Sequence, residues 1–253
     1  MKKLSALILA AGFLLITNAP FSGAEEASGG LAVTSELDVV SKYVWRGIPL
    51  SETEAYQPSV TFSKDGFTAN TWLNYRVDKP QQNRFSEIDL ELTYKGKLKD
   101  LSFSPGFVLY TFSSLSPYGE AYLKLSCPAA FLKFITDHYF TAVGEGIAGG
   151  YYGDAGLGYE RQLANDSLWT SSALLGWGNA RFNSFSYLTP GLASSLNVLT
   201  LDTAISFKLG SNGSVRPHLT YHVTLPGKLR ETLTSAGYTP NSLVIGVAAG
   251  YGF

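Results

Sequence analysis

The chain has 253 residues and a formal net charge of −1, with 19 Lys and Arg against 20 Asp and Glu. That balance leaves no basic footprint for nucleic acid, and a single cysteine, Cys127, excludes an internal disulfide. Charged residues at 15%, aromatics at 13% and 26 glycines suit a wall that meets lipid better than the charged surface of a soluble domain.

Lys2 and Lys3 precede an apolar run from Leu4 to Ile16, with Ser22 and Ala24 at the small-residue positions of a cleavage site. This pattern predicts an export signal over residues 1–24 and a mature chain from Glu25. Beyond it no run of about 18 apolar residues remains, so any membrane span must be a closed barrel, whose backbone groups are all paired.

Thr34 to Gly47 alternates, with Leu37, Val39, Tyr43 and Trp45 on one face and Glu36, Asp38, Lys42 and Arg46 on the other. Period two predicts one strand over this stretch, with Lys42 and Arg46 pointing into a lumen. Within it, Ser41-Lys-Tyr43-Val-Trp45-Arg46-Gly47-Ile-Pro-Leu-Ser51 resembles the S-x-Y-x-[FW]-R-G-x-x-x-S opening of the TorF-type porin family. The resemblance covers about eleven residues and departs from the family at Lys42 and Pro49. It implies a Gram-negative outer-membrane barrel and names no solute.

Tyr56 to Ser63 is a short strand, and Lys64-Asp65-Gly66 a tight turn. Phe67 to Val77 alternates with Trp72 and Arg76 inward, and a loop containing Pro80 follows. Glu87 to Lys95 sets Ile88, Leu90, Leu92 and Tyr94 against Glu87, Asp89, Glu91, Thr93 and Lys95. In Leu101 to Thr111, Pro105 predicts a bulge or irregular pairing. Gly119–Ser126, Ala130–His138, Tyr151–Arg161 and Leu168–Gly178 follow as strands, with Tyr152 inward. Val198–Leu209 and Ser214–Thr224 flank Ser211-Asn212-Gly213, a hairpin signal. With a three-residue turn there, Asp202 falls opposite His222 and Lys208 opposite Arg216. The closing stretch Ser242 to Phe253 has one apolar face (Leu243, Ile245, Val247, Ala249, Tyr251, Phe253) and one small-residue face (Gly246, Ala248, Gly250, Gly252). It resembles the last strand of outer-membrane barrels, and Phe253 implies recognition by the barrel assembly machinery.

Connections after every second strand are short and the others long, as in a barrel with short turns on one side and long loops on the other. The expected fold is all-β: a transmembrane up-and-down antiparallel β-barrel of about 12 strands over residues 25–253, in a bacterial outer membrane and surrounded by its lipids. The small face of the last strand is expected to leave room for Lys42 and Arg46 across the seam. Aromatic residues near strand ends (Tyr43, Trp45, Tyr75, Tyr151, Tyr159, Trp169, Trp177, Tyr221, Tyr251) are expected in interface girdles.

The expected lumen lining is Lys42, Arg46, Arg76, Glu87, Asp89, Glu91, Lys95, Asp202, Lys208, Arg216, His218 and His222, with Glu120, Asp137 and Asp154 among further inward acids. This pattern predicts a narrow porin-like channel for small hydrophilic solutes or ions; its mixed charges predict weak ion selectivity at best, with the acidic row Glu87-Asp89-Glu91 as a tilt towards cations. The alternatives are a closed structural barrel, or a hydrolase using Asp202–His222 as an oriented base at the rim. No nucleophile motif accompanies that pair. No cofactor is expected, and no metal site, since His218 and His222 lie roughly 13 Å apart along a strand.

Overall fold

The computed structural model describes residues 30–79, 84–113, 115–164 and 166–253. The export signal expected over residues 1–24 and Pro80 lie outside the described residues.

In chain order the elements are β1 (Ala32–Val40), β2 (Tyr43–Trp45), β3 (Ile48–Ser51), β4 (Ala55–Lys64), β5 (Phe67–Arg76), β6 (Phe85–Tyr94), β7 (Gly96–Leu98), β8 (Leu101–Phe112), β9 (Tyr118–Ala129), β10 (Leu132–Val143), β11 (Tyr151–Gln162), β12 (Leu168–Gly178), α1 (Ala180–Ser186), β13 (Ser195–Leu209), β14 (Gly213–Thr224), α2 (Gly227–Ser235) and β15 (Asn241–Gly252). Among the described residues the wall is a closed antiparallel barrel of twelve strands. β7 continues β6 along β8, and β2 and β3 pair only with each other. The circle closes where β1 meets β15, from Thr34 opposite Gly252 to Val40 opposite Gly246. Closure leaves no edge unpaired, as the closing stretch of the sequence required.

One end of the barrel carries short turns, such as residues 65–66, 99–100, 130–131 and 210–212. At the first of these, Asp65 (φ 52°) and Gly66 (φ 83°) both take left-handed backbone, the geometry that matches strand twist in a two-residue hairpin. The other end carries the β2–β3 hairpin, residues 144–150, α1 and α2. The apolar face of each strand points outward: Leu243, Ile245 and Val247 are about half exposed, whereas Val244, Gly246 and Ala248, which alternate with them, are buried. The packed apolar interior, with Trp45, Tyr110, Tyr118, Ile147, Phe182, Leu229 and Leu233, fills the long-loop end.

One expectation about strands is met in part and another needs correction. β8 runs unbroken, with Pro105 in regular register opposite Leu123 on β9. The expected irregular pairing at Pro105 lies towards its other partner, where the ladder breaks between Thr93 opposite Gly106 and Gly96 opposite Phe103, separating β6 from β7; proline has no N–H to give to a ladder. The first strand does not continue to Gly47. It stops at Val40, where Ser41 N–H donates to Ile245 O (2.8 Å) and Ile245 N–H donates to Ser41 Oγ (3.0 Å), and the chain then turns into the barrel.

Candidate functional site

The Ser41–Ser51 stretch forms a hairpin that reaches across the interior. Its tip is a two-residue turn in which Arg46 (φ 47°) and Gly47 (φ 82°) are both left-handed, with Trp45 paired to Ile48. A Cβ on Gly47 would lie 2.8 Å from Val198 of β13, so the tip sits hard against that wall.

Arg46 is the anchor. Its Nη1 and Nη2 donate to Glu120 Oε1 and Oε2 of β9 at 3.1 and 2.8 Å, a bidentate pair. Its guanidinium carbon lies 4.3–4.5 Å from the ring centres of Trp45, Tyr139 and Tyr152 and 5.3 Å from that of Phe182 on α1. Tyr110 Oη donates to the same Glu120 carboxylate at 2.9 Å. Burial pulls this guanidinium towards its neutral form, but the Glu120 carboxylate more than offsets it and raises its pKa above the ordinary value. Elsewhere on the hairpin, Tyr43 Oη donates to Glu87 Oε2 (3.0 Å), and Arg76 donates to Leu50 O (3.1 Å). Lys42 pairs with Glu52 at 2.6 Å. Tyr43 and Trp45, expected at a lipid interface, are buried inside the barrel at 4% and 0% exposure. Period two does not distinguish an aromatic face turned to lipid from one turned to an aromatic interior.

The remaining expected residues fall into four groups. Glu87, Asp89 and Asp202 are buried inside, and Glu91 is half-buried, near Lys124 (3.9 Å). Arg76 is half-buried at the long-loop rim and pairs with Asp78. Lys95 and Lys208 are exposed towards the short-turn end, Lys208 at 3.9 Å from Asp166.

Arg216, His218 and His222 belong to the seam and its neighbours. His218 Nε2 lies 3.0 Å from both carboxylate oxygens of Asp38, and Arg216 Nη2 donates to Glu36 at 3.2 Å. Both side chains start on β14 and cross β15 to reach β1. Their route is the small face of β15: Arg216 is opposite Ala248, His218 is opposite Gly246, and a Cβ on Gly246 would come within 2.1 Å of His218 Nε2. The small inward residues of β15 thus accommodate His218 and Arg216, not Lys42 and Arg46 as expected, because the latter two have left the wall.

The Asp202–His222 pair does not form in the expected register. Leu209 pairs with Gly213 around a turn at residues 210–212, which puts Asp202 opposite Thr220 and His222 opposite Thr200. Lys208 likewise faces Ser214 and not Arg216. Thr220 Oγ1 donates to Asp202 (2.7 Å), and His222 Nδ1 is 3.1 Å from Thr200 Oγ1. Among the described residues the carboxylate–imidazole contact is His218–Asp38, a pair absent from the expected site.

Beside the hairpin lies a cavity of about 80 Å³, with Arg46, Tyr139, Tyr152, Asp154, Asp202, His218, His222 and Val244 among its lining residues. Asp154 is one of the further acids that the alternation of its strand turns inward. Chemically the interior offers fixed charge, phenol and hydroxyl groups around water-sized space, and a loop that narrows it.

A family model described as "Bacterial protein of unknown function (Gcw_chp)" matches residues 24–187. No curated protein matches the chain. Among solved structures, a KdgM porin in complex with disordered oligogalacturonate is similar with a TM-score of 0.52 at 14% identity, over 88% of this chain and 99% of that one. A NanC porin has a TM-score of 0.51 at 14% identity, again over 88% and 99%. At that identity the likeness is one of fold.

Proposed function

Since the chain belongs to the Gcw_chp family of bacterial proteins of unknown function and has a porin-type fold, we propose that it is an outer-membrane, porin-like channel for small hydrophilic solutes or ions, narrowed by its own hairpin and biased towards cations. The observation that carries this reading is the inverted barrel. Large apolar side chains such as Leu92, Phe62, Leu243 and Ile245 are exposed around the outside, where only lipid compensates them, while ionisable groups are gathered inside.

The sign of the interior supports cations. Among the described residues Asp38, Glu87, Asp89, Glu120, Asp137, Asp154 and Asp202 are buried, against Arg46 as the one buried side chain that is always charged positive. A ring of carboxylates favours cations and opposes anions. The oligogalacturonate of the KdgM complex is therefore a poor guide to this solute. The same reading takes residues 1–24 as an export signal, residues 25–253 as the barrel and Phe253 as a mark for the assembly machinery. The TorF-type resemblance of Ser41–Ser51 belongs with it.

Purified, refolded protein in planar bilayers tests the proposal. Small discrete conductance steps are expected, with a reversal potential on the cation side across a KCl gradient. Replacing residues 42–52 by a short Gly-Ser linker is expected to raise conductance several-fold. Conductance that stays at background in both proteins overturns the channel and leaves the closed structural barrel.

A further inference from the structure

We infer that the cavity beside the hairpin is a binding station for a short aliphatic diamine, held at its two ends by Asp154 and Asp202. This rests on the channel reading only in that the solute enters through the barrel interior.

The argument starts from charge partners. Four of the bases at the cavity have a carboxylate each: Arg46 with Glu120, Arg216 with Glu36, Lys42 with Glu52, and His218 with Asp38; the fifth, His222, meets the hydroxyl of Thr200. Asp154 and Asp202 line the same cavity, and neither takes part in an ion pair among the described residues. Both are 8% exposed, and Oδ1 of each has no hydrogen-bond partner. Uncompensated buried carboxylate oxygens cost several kcal/mol, so they mark a place built to receive donors. The surroundings of Asp202 continue the pattern. Ser172 sits directly opposite it across β12 and β13, and Ser172 Oγ and nearby Thr170 Oγ1 are also buried without partners. Hydroxyl oxygens accept N–H donors alongside the carboxylate.

Shape then narrows the class. Asp154 is opposite Gly176 on β12, and Asp202 is opposite Ser172, four residues along the same strand. Their Cα atoms are therefore roughly 16 Å apart along the wall. One bare ion does not meet both, and no group of three or more His, Cys, Asp or Glu among the described residues is arranged to hold a metal. The cavity of about 80 Å³ has room for roughly six water molecules. A chain of about six non-hydrogen atoms with an ammonium at each end fills it, meets a carboxylate at each end, and lays its methylenes beside Val244, Tyr139 and Tyr152.

An isosteric series tests this by titration calorimetry on the refolded barrel in detergent micelles. 1,4-Diaminobutane is expected to bind, 1,4-butanediol at least tenfold more weakly, and succinate not at all. Asp202→Asn and Asp154→Asn are each expected to weaken diamine binding at least tenfold, with circular dichroism matching the parent. Asp100→Asn, in an exposed turn, is expected to leave it unchanged. Should one Asn variant not fold, the other and the ligand series still decide. The inference is overturned if the diol binds as tightly as the diamine, if both Asn variants bind like the parent, or if no diamine heat is detected. Conductance without diamine binding removes this site and leaves the channel. Diamine binding in a barrel without conductance removes the channel and leaves the site.

Discussion

The two ends of this barrel use the same ion-pair chemistry to different effect. At the long-loop end, Arg46 and Glu120 have side chains 5% and 0% exposed and are joined by two hydrogen bonds under four aromatic rings. Towards the short-turn end, Lys133 and Glu160 approach as closely, at 2.6 Å, but are 43% and 35% exposed. A buried pair leaves a stranded charge when one partner is removed, whereas an exposed pair is already solvated. Distance alone therefore says little about which contact fixes the architecture. Burial makes the Arg46–Glu120 pair the latch that holds a loop across the interior, and leaves Lys133–Glu160 an incidental contact.

Removing one half of the latch is expected to give the largest effect. Glu120→Ala leaves the Arg46 guanidinium buried without its carboxylate, which costs about 3–5 kcal/mol. The measurement is the denaturant midpoint of the folded barrel. The same variant is expected to release the hairpin and raise single-channel conductance. Arg46→Ala together with Glu120→Ala is expected to destabilise by less than the sum of the two single changes, because the stranded charge is gone. Strict additivity in that cycle would break the distinction between the two ends.

The next effect concerns the hairpin tip. Gly47→Ala places a side chain at φ +82° and a Cβ 2.8 Å from Val198 Cγ2. A loss of about 1–3 kcal/mol is expected. Val198→Ala in the same chain is expected to restore part of it, since the backbone strain stays while the clash with the Val198 methyls goes. No recovery in the double variant would show that the tip does not press on β13.

The seam gives a third effect, of similar size. Gly246→Ala puts a Cβ 2.1 Å from His218 Nε2, so the imidazole must swing away from Asp38. The expected cost is about 1–3 kcal/mol, for a buried carboxylate that loses its donor. Asp38→Asn in the Gly246→Ala background is expected to add little to that cost, because the contact is already broken. This places the seam between the two ends in sensitivity.

These sites also show why part of the molecule was legible in the sequence. The wall was, because Leu243, Ile245 and Val247 alternate with Val244, Gly246 and Ala248, and the short turns recur at every second connection. The burial of Trp72 and Tyr152 followed from the same alternation. The hairpin was not legible. Tyr43 and Trp45 keep the period of β1, and the I′ turn that reverses them is Arg46-Gly47, not the Asn-Gly that usually announces one. The Asp202–His222 register failed for a related reason. Ser211-Asn212-Gly213 carries the turn signal, but the turn starts at Gly210 (φ 67°), and moving it by one residue shifts every pair on β13 and β14 by two. Asp154 and Asp202 were readable as inward residues. Their lack of partners was not, because it depends on which carboxylate each base reaches in three dimensions.

The smallest effect sharpens the comparison from the other side. Lys133→Ala removes the 2.6 Å contact with Glu160, a separation that taken alone ranks with Arg46–Glu120. Solvent at this end screens both charges, so the change in stability is expected to stay within about 0–1 kcal/mol, and to shrink further in 1 M salt. The denaturant midpoints of Lys133→Ala and Glu120→Ala, measured side by side at low and high salt, separate burial from distance. A Lys133→Ala loss as large as that of Glu120→Ala would mean that the short-turn end is drier than its exposed side chains imply. The latch would then be one ion pair among equals.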